Sequence, residues 1–253
     1  MKLNLENIIT EGIYDPGILK AVFLAGGPAS GKSWVVNKIF GVGGKTATDI
    51  SSHYGLKLIN SDIQFERILK SSDIDIADLA KLPPEEFKKI SMGGDSKRGK
   101  AKEIVGKQKK FFESGRLGLI IDGTGKDQKK IERQKRSLEA LGYDTAMIFV
   151  NTDLKTALER NSKRKRVLPD DLVEEMWKSV QRNLGSFQNM FDLFIIIDNS
   201  DIIQEDRDEV FSKNAKNQIK KIEQFLNKPV ENAIGKVWMN YRLKLKNKTR
   251  SER

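Results

Sequence analysis

Cysteine is absent from the 253 residues of this chain, and histidine occurs once. Without cysteine there can be no disulfide, no thiolate zinc site and no cysteine nucleophile. A single histidine also argues against a Ser-His-Asp triad and against a multi-histidine metal site. The missing cysteine fits a reducing compartment, and His53 is predicted to lie in a loop before a strand, without a functional role.

Long apolar runs are missing as well. No stretch approaches the roughly 20 residues that a membrane-spanning helix requires. The first residues, MKLNLENIITEG, lack the long apolar core of a secretory signal. The sequence therefore predicts a soluble, cytoplasmic protein without a membrane partner, and residues 1–17 are expected to form a leader helix.

Positive charge is in excess and unevenly spread. The formal net charge is +11, and residues 236–253 contain seven basic residues and one acidic residue, a net of +6, against +5 for the remainder. A basic terminal segment of this kind is typical of tails that bind nucleic acid phosphates, and it is equally typical of a solvated tail. Composition leaves both interpretations open.

Five short apolar segments alternate with segments of helical periodicity. Strands are predicted at LKAVFLAG (19–26), GLKLINSD (55–62), RLGLIIDGT (116–124), TAMIFVNTD (145–153) and DLFIIIDNSD (192–201). Strands that are apolar along their whole length and alternate with helices indicate a parallel sheet covered on both faces. The predicted fold class is therefore α/β, with about five parallel strands flanked by helices.

Three regions are predicted along the chain: a main domain at 18–200, a helical insertion within it at 63–116, and a helical, basic extension at 201–253. The extension has a possible joint at Asn227-Lys228-Pro229. The insertion is longer than a crossover between strands needs. It is a candidate for substrate contacts, and equally for a simple cover over the sheet edge.

A glycine-rich segment, GGPASGKS, follows the first predicted strand and precedes a predicted helix. Gly26, Gly31, Lys32 and Ser33 match the pattern G-x-x-x-x-G-K-[ST] of the phosphate-binding loop (P-loop). Its backbone amides and Lys32 would hold the phosphates of ATP, and the Ser33 hydroxyl would ligate Mg²⁺. The residues expected to bind nucleotide here are Gly26, Gly27, Pro28, Ala29, Ser30, Gly31, Lys32, Ser33 and Trp34.

Carboxylates end three of the predicted strands: Asp62, Asp122 and Asp198. In an open α/β sheet, ligands collect beyond the carboxyl ends of the strands. A kinase needs a carboxylate facing the γ-phosphate to orient or deprotonate the attacking hydroxyl. These positions are therefore candidates for such a group.

The ordered set GGPASGKS, LINSD, LIIDGT, ALGYDTAMIFVNTD, LERNSKRKRVLPDD and FDLFIIIDNSD resembles the zeta-toxin and bacteriophage polynucleotide-kinase group of P-loop kinases, over roughly residues 19–200. The resemblance implies that Asp62 is the general base, although an aspartate there is also a common helix N-cap. It places Asp122 and Thr124 at the end of the third strand. Zeta-like chains usually carry glutamate at the first of these, and Asp122 is open to a role in metal binding or in acceptor binding.

The resemblance also implies an arginine-bearing lid at 155–170, with Arg160, Arg164 and Arg166 neutralising charge on the transferring phosphoryl group. The alternative for this run is a solvated basic helix face. Asn199 is expected near the adenine, or else merely in a turn. Polynucleotide kinases of the group carry an arginine three residues after the base. Here that residue is Phe65, and Arg67, two residues on, is a candidate for substrate binding.

The expected function is transfer of the ATP γ-phosphate to a hydroxyl, on a nucleic acid (a 5′-hydroxyl end or a hydroxymethylated base) or on a nucleotide sugar. Nucleic acid would be held by the basic insertion and tail. Alternatives are an ATPase stimulated by nucleic acid without a phosphoryl acceptor, and a structural protein with a vestigial nucleotide site. The sequence leaves open an antitoxin or other protein partner, and a bacteriophage origin is suggested by the resemblance alone.

Overall fold

A computed structural model describes residues 13–15, 17–42, 52, 54–164, 167–200 and 207–251. The predicted leader helix lies mostly outside these ranges, as do His53 and Arg166. Within the described ranges, no helix combines the length and the apolar character needed to cross a membrane.

A five-stranded parallel sheet forms the centre of the molecule, in the order β2-β3-β1-β4-β5. The strands are β1 (Lys20–Ala25), β2 (Lys57–Ile59), β3 (Leu119–Asp122), β4 (Asp144–Asn151) and β5 (Leu193–Asp198). All five predicted strands are confirmed. Because the strands are parallel, the segments that follow β1, β2 and β3 meet at one edge of the sheet, and these segments carry the predicted site.

Helices cover both faces of this sheet. They are α1 (Lys32–Phe40), α2 (Ser61–Lys70), α3 (Pro84–Ser91), α4 (Lys97–Ser114), α5 (Gln128–Ala140), α6 (Leu154–Ser162), α7 (Asp170–Met190), α8 (Arg207–Asn227) and α9 (Ala233–Ser251), with a 3₁₀ helix at Ile76–Lys81. The break between α8 and α9 falls at the predicted joint. The segment between β2 and β3 is helical, as predicted for the insertion.

The core consists of one apolar layer on each face of the sheet, because alternate residues of a strand point to opposite sides. Phe23 of β1 packs in the layer covered by α4, α5 and α7. Its neighbours Val22 and Leu24 pack in the other layer, together with α1 and α8. Four residues of α8 belong to that second layer: Phe211, Ala215, Ile222 and Leu226. The core therefore continues beyond residue 200.

The C-terminal helix is attached at the edge of the sheet where the strands begin. The Asp144 carboxylate accepts hydrogen bonds from the backbone amides of Glu231 and Asn232, at 2.9 and 2.8 Å, and from Lys20 Nζ at 2.8 Å. A Cβ atom at Gly235 would lie 2.3 Å from the Gly142 carbonyl oxygen, so glycine is required for this close approach. The start of α9 thus lies at the sheet edge opposite the glycine-rich loop.

Candidate active site

The glycine-rich loop connects β1 to α1, as predicted. Gly31 has a left-handed backbone (φ +82°) at the N-cap of α1, a conformation that glycine adopts at little cost. A Cβ atom at Gly26 would lie 2.7 Å from the Val150 carbonyl oxygen, so a larger residue is excluded there. These two glycines therefore allow the tight wrap of the loop.

Buried polar groups hold the loop from behind. The Ser30 carbonyl oxygen accepts hydrogen bonds from Asn199 Nδ2 at 2.7 Å and from Thr152 Oγ1 at 3.2 Å. Asn199 has no exposed surface. The structure thus places Asn199 behind the loop, and it is not among the residues that line the cleft. The side-chain amide of Asn199 stabilises the loop, because its hydrogen bond holds the Ser30 carbonyl group in one orientation.

The start of α1 is suited to an anion. No side chain caps this helix, and no acidic residue lies in its first turn, so no side chain there opposes the binding of an anion at its N-terminus. Lys32 is the first residue of α1, and its Nζ lies 3.1 Å from the Gly26 carbonyl oxygen, within the loop. A helix N-terminus without an acidic residue and an ammonium group together fit the phosphates of a nucleotide.

A cleft of about 720 Å³ opens over this loop. Its lining includes loop residues 27–34 together with Asp62, Arg98, Thr124, Arg160, Lys163 and Arg164. The structure therefore brings together the loop, Asp62, Thr124 and two of the three predicted lid arginines. Arg67 does not line this cleft and lies half-buried on α2. Arg98 and Lys163 were not predicted.

An amide side chain that the sequence did not single out links the backbone of Asp62 to the carboxylate of Asp122. Asn60, at the N-cap of α2, accepts a hydrogen bond from the Asp62 amide at 2.7 Å through Oδ1, and its Nδ2 donates to Asp122 Oδ2 at 2.6 Å. Asn60 therefore caps α2, which leaves the Asp62 side chain out of that role. The Asp62 carboxylate is largely exposed in the cleft and pairs with the Arg98 guanidinium.

Arg98 comes from the helical insertion. Its guanidinium lies 5.0 Å from the centre of the Phe65 ring, as well as pairing with Asp62. The buried Ser96 hydroxyl caps α4 by accepting from the Gly99 amide at 2.9 Å and donates to the Gly93 carbonyl at 2.7 Å. These two bonds fix the start of α4, and Lys97 Nζ links it to the end of α2 by donating to the Ser72 hydroxyl at 2.7 Å. The Arg98 guanidinium therefore lies over Phe65, the residue three positions after Asp62.

The pKa of Asp122 is raised. Burial is the main cause, Lys32 opposes the rise, and the negative charge of Asp62 adds to it. The Asp122 carboxylate and the Ser33 hydroxyl, which lines the cleft, could hold a magnesium ion together with phosphate oxygens. No cluster of three or more acidic, histidine or cysteine side chains exists among the described residues, so such an ion would depend on the nucleotide for most of its ligands.

We expect Asp122→Asn to raise the melting temperature at neutral pH. An acid whose pKa is raised by folding stabilises the protein below its unfolded pKa, near 3.9, and loses that contribution as pH rises through the folded value. Thermal unfolding of both proteins between pH 3 and pH 8 tests this. The advantage of the variant should shrink as pH falls. A variant that is less stable at pH 7 would contradict the expectation.

No family model matches the chain, and a comparison with curated proteins found no match. Among solved structures, the native AvrRxo1-ORF1:ORF2 complex is 11% identical with a TM-score of 0.50, covering 94% of this chain and 82% of that one. The same complex with sulphate ions is also 11% identical with a TM-score of 0.50, covering 77% of this chain and 61% of that one. A structure from the PezAT toxin-antitoxin system of Streptococcus pneumoniae is 13% identical with a TM-score of 0.48. The match covers 88% of this chain and 91% of that one.

Identities this low establish the fold alone. The five-stranded parallel α/β fold is shared with the AvrRxo1-ORF1:ORF2 structures, and the predicted α/β class is confirmed. The resemblance to zeta-toxin-like kinases inferred from the ordered motifs agrees with these neighbours at the level of fold. In the sulphate-containing structure, the chain spans less than two thirds of the matched protein.

Proposed function

We propose that this protein is an ATP-dependent kinase that transfers the γ-phosphate to a hydroxyl group. One observation carries the proposal: the P-loop and the Asp62 carboxylate line the same cleft, with Asp122 held behind them through Asn60. A phosphate-binding loop alone would serve an ATPase or a switch equally well. A carboxylate in the same cleft supplies what transfer to a hydroxyl needs in addition.

In the proposed reaction the loop amides and Lys32 bind the ATP phosphates, and Asp62 accepts the proton of the acceptor hydroxyl. The acceptor oxygen forms a bond to the γ-phosphorus as the bond to the ADP oxygen breaks, giving ADP and a phosphate monoester. Arg160 and Arg164 neutralise charge on the phosphoryl oxygens, with Arg166 as a further proposed lid residue. Magnesium, when bound at Ser33 and Asp122, would add positive charge beside the phosphates.

A nucleic acid hydroxyl is the acceptor that we favour, either a 5′ end or a hydroxymethylated base. This choice is supported by the basic character of the insertion, whose Arg98 lines the cleft. A nucleotide sugar is the second candidate, and it rests on the zeta-toxin-like motifs. A phage-encoded enzyme acting in a host cytoplasm is the setting that the polynucleotide-kinase resemblance suggests.

The test is incubation with γ-labelled ATP and Mg²⁺ against 5′-hydroxyl DNA and RNA, hydroxymethylated DNA and UDP-sugars. We expect label on one acceptor class and an equal amount of ADP. ATP turnover without any labelled acceptor, increased by DNA, would instead identify a nucleic-acid-stimulated ATPase and would overturn the kinase proposal.

A further inference from the structure

A second cavity, of about 460 Å³, adjoins the nucleotide cleft. The two cavities share Thr124, and Asp122 belongs to the wall of the second one. One side of this cavity is α4, through Lys102, Gly106 and Lys109, and another is the segment from the end of β3 into α5. We refer to this space as the lysine cavity.

Positive charge predominates in the lysine cavity. Its lining includes four lysines, at positions 102, 109, 126 and 130, and two aspartates, at 122 and 127. The Asp127 carboxylate already accepts a hydrogen bond from the Lys130 amide, at 2.9 Å, as the cap of α5. Lys109 pairs with Glu113 at 3.0 Å.

The other three lysines of the cavity are exposed. None of them forms an ion pair within the part of the chain that the structure describes. Three lysines that line one concave space attract an anion more strongly than scattered surface lysines do, because the walls exclude part of the screening solvent.

A glycine in the middle of α4 opens this cavity. Glycine inside a helix lowers stability relative to alanine, so a structural reason is expected for it. Gly99 has such a reason, because a Cβ atom there would lie 2.1 Å from the Gly94 carbonyl oxygen. A Cβ atom at Gly106 would meet nothing within 4 Å, although this residue lines the cavity. Packing therefore does not require glycine at 106, whereas a ligand in the cavity would benefit from the space.

We infer that the lysine cavity binds phosphate carried by the acceptor, so that the acceptor is a phosphate-bearing molecule whose hydroxyl reaches past Thr124 to the nucleotide cleft. The inference rests on the proposed kinase function, and it adds the location and the chemistry of the second substrate. A polynucleotide and a nucleotide sugar share this chemistry, and the experiment separates them.

The basic tail is not needed for this site. The start of α9 is fixed at the opposite edge of the sheet by Asp144, whereas the lysine cavity lies at the edge where β3 ends. The proposed acceptor site is therefore formed by α4 and by the segment from the end of β3 into α5, and the start of the basic tail lies apart from it.

The first test compares cavity lysines with outer lysines of the same helices. Lys102→Ala and Lys130→Ala change the cavity, whereas Lys107→Ala on α4 and Lys129→Ala on α5 change residues that do not line it. Binding of a labelled 5′-hydroxyl oligonucleotide and of a UDP-sugar is measured with a non-hydrolysable ATP analogue present, alongside phosphoryl transfer. We expect each cavity variant to weaken binding of one of these ligands about tenfold, with ATP affinity unchanged. If that ligand is the oligonucleotide, the slope of log affinity against log salt should fall by roughly one.

The second test uses two substitutions at Gly106, one expected to raise the melting temperature and the other expected to weaken acceptor binding. Gly106→Ala should raise the melting temperature by about 2–4 °C, because alanine is the better helix former. Gly106→Leu should also keep the fold, since the added atoms project into open space, yet it should reduce acceptor binding at least tenfold by filling the cavity. A stable Gly106→Leu protein with normal acceptor binding would overturn the inference.

The outcomes distinguish this inference from the proposed function. If an acceptor is phosphorylated but the cavity and outer lysine variants behave alike, the inference fails and the kinase assignment stands. Equal phosphorylation of a nucleoside and of its 3′-phosphate also overturns it. If the oligonucleotide or the UDP-sugar binds with the expected lysine dependence but no label is transferred, the anion site stands and the kinase assignment fails.

Discussion

Replacing Lys32 by alanine is expected to abolish most phosphoryl transfer and most ATP binding together. The ammonium group lies inside the loop, 3.1 Å from the Gly26 carbonyl oxygen, and it is the only lysine of the loop itself. Removing a fixed charge that faces developing phosphoryl charge costs about 10²–10³-fold in rate. Calorimetric titration with ATP and a labelled-transfer assay give the two quantities separately.

Lys38 on the same helix supplies the matched control for this variant, because it is exposed and does not line the cleft. Lys38→Ala should keep both ATP binding and transfer near the native values. An unchanged melting temperature for Lys32→Ala would show that the loss does not come from unfolding. ATP affinity that survives the removal of Lys32 would mean that the loop is not the nucleotide site.

The second large effect is expected from Asp62→Asn, which should lower kcat by about 10²–10⁴-fold while ATP binding stays unchanged. Asparagine has nearly the shape of aspartate but cannot accept the proton of the acceptor hydroxyl. The cap of α2 is unaffected, because Asn60 provides it. The loss should therefore appear in turnover and not in stability.

Glu66→Gln, one turn further along α2, is the matched control, because Glu66 is exposed and lies outside the nucleotide cleft. A normal transfer rate in Asp62→Asn would show that Asp62 is not the general base. Asp122 would then be the next candidate for that role. The two acids differ in a second respect: Asp122→Asn should raise the magnesium concentration needed for half-maximal rate, whereas Asp62→Asn should not.

The sequence predicted the strands well because each one contains a continuous apolar run that ends at a glycine or a polar residue. The P-loop was equally readable, since Gly26 and Gly31 are dictated by local backbone geometry. Strand order in the sheet is a different matter. It depends on which apolar faces pack across the molecule, and β2 reaches β1 only through β3.

Arg98 and Asn60 show what could not be read from local patterns. Arg98 lies in a run of basic residues that looks like any solvated helix face, and its role depends on the packing of α4 beside α2. The one signal in the sequence was Phe65, which stands where the polynucleotide kinases of the resembled group carry an arginine. Asn60 precedes Ser61 and Asp62, so three residues compete for the same cap in the sequence.

Asn199 illustrates the opposite difficulty. A polar residue just after a strand can face a ligand or support the backbone of a neighbouring loop, and the two roles have the same local sequence. The choice is made by burial: Asn199 lies beneath Ser30 with no exposed surface. Only the three-dimensional arrangement of β5 relative to the loop distinguishes these roles.

The attachment of α9 has a consequence for the order of events during synthesis. Asp144 joins the first strand, the fourth strand and the start of the last helix through Lys20, Glu231 and Asn232. A nascent chain still held on the ribosome at residue 200 lacks both α8 and the hydrogen bonds of Asp144 to Glu231 and Asn232, and the part of the sheet face that α8 covers remains exposed. We therefore expect ribosome-bound intermediates of that length to be recognised by chaperones.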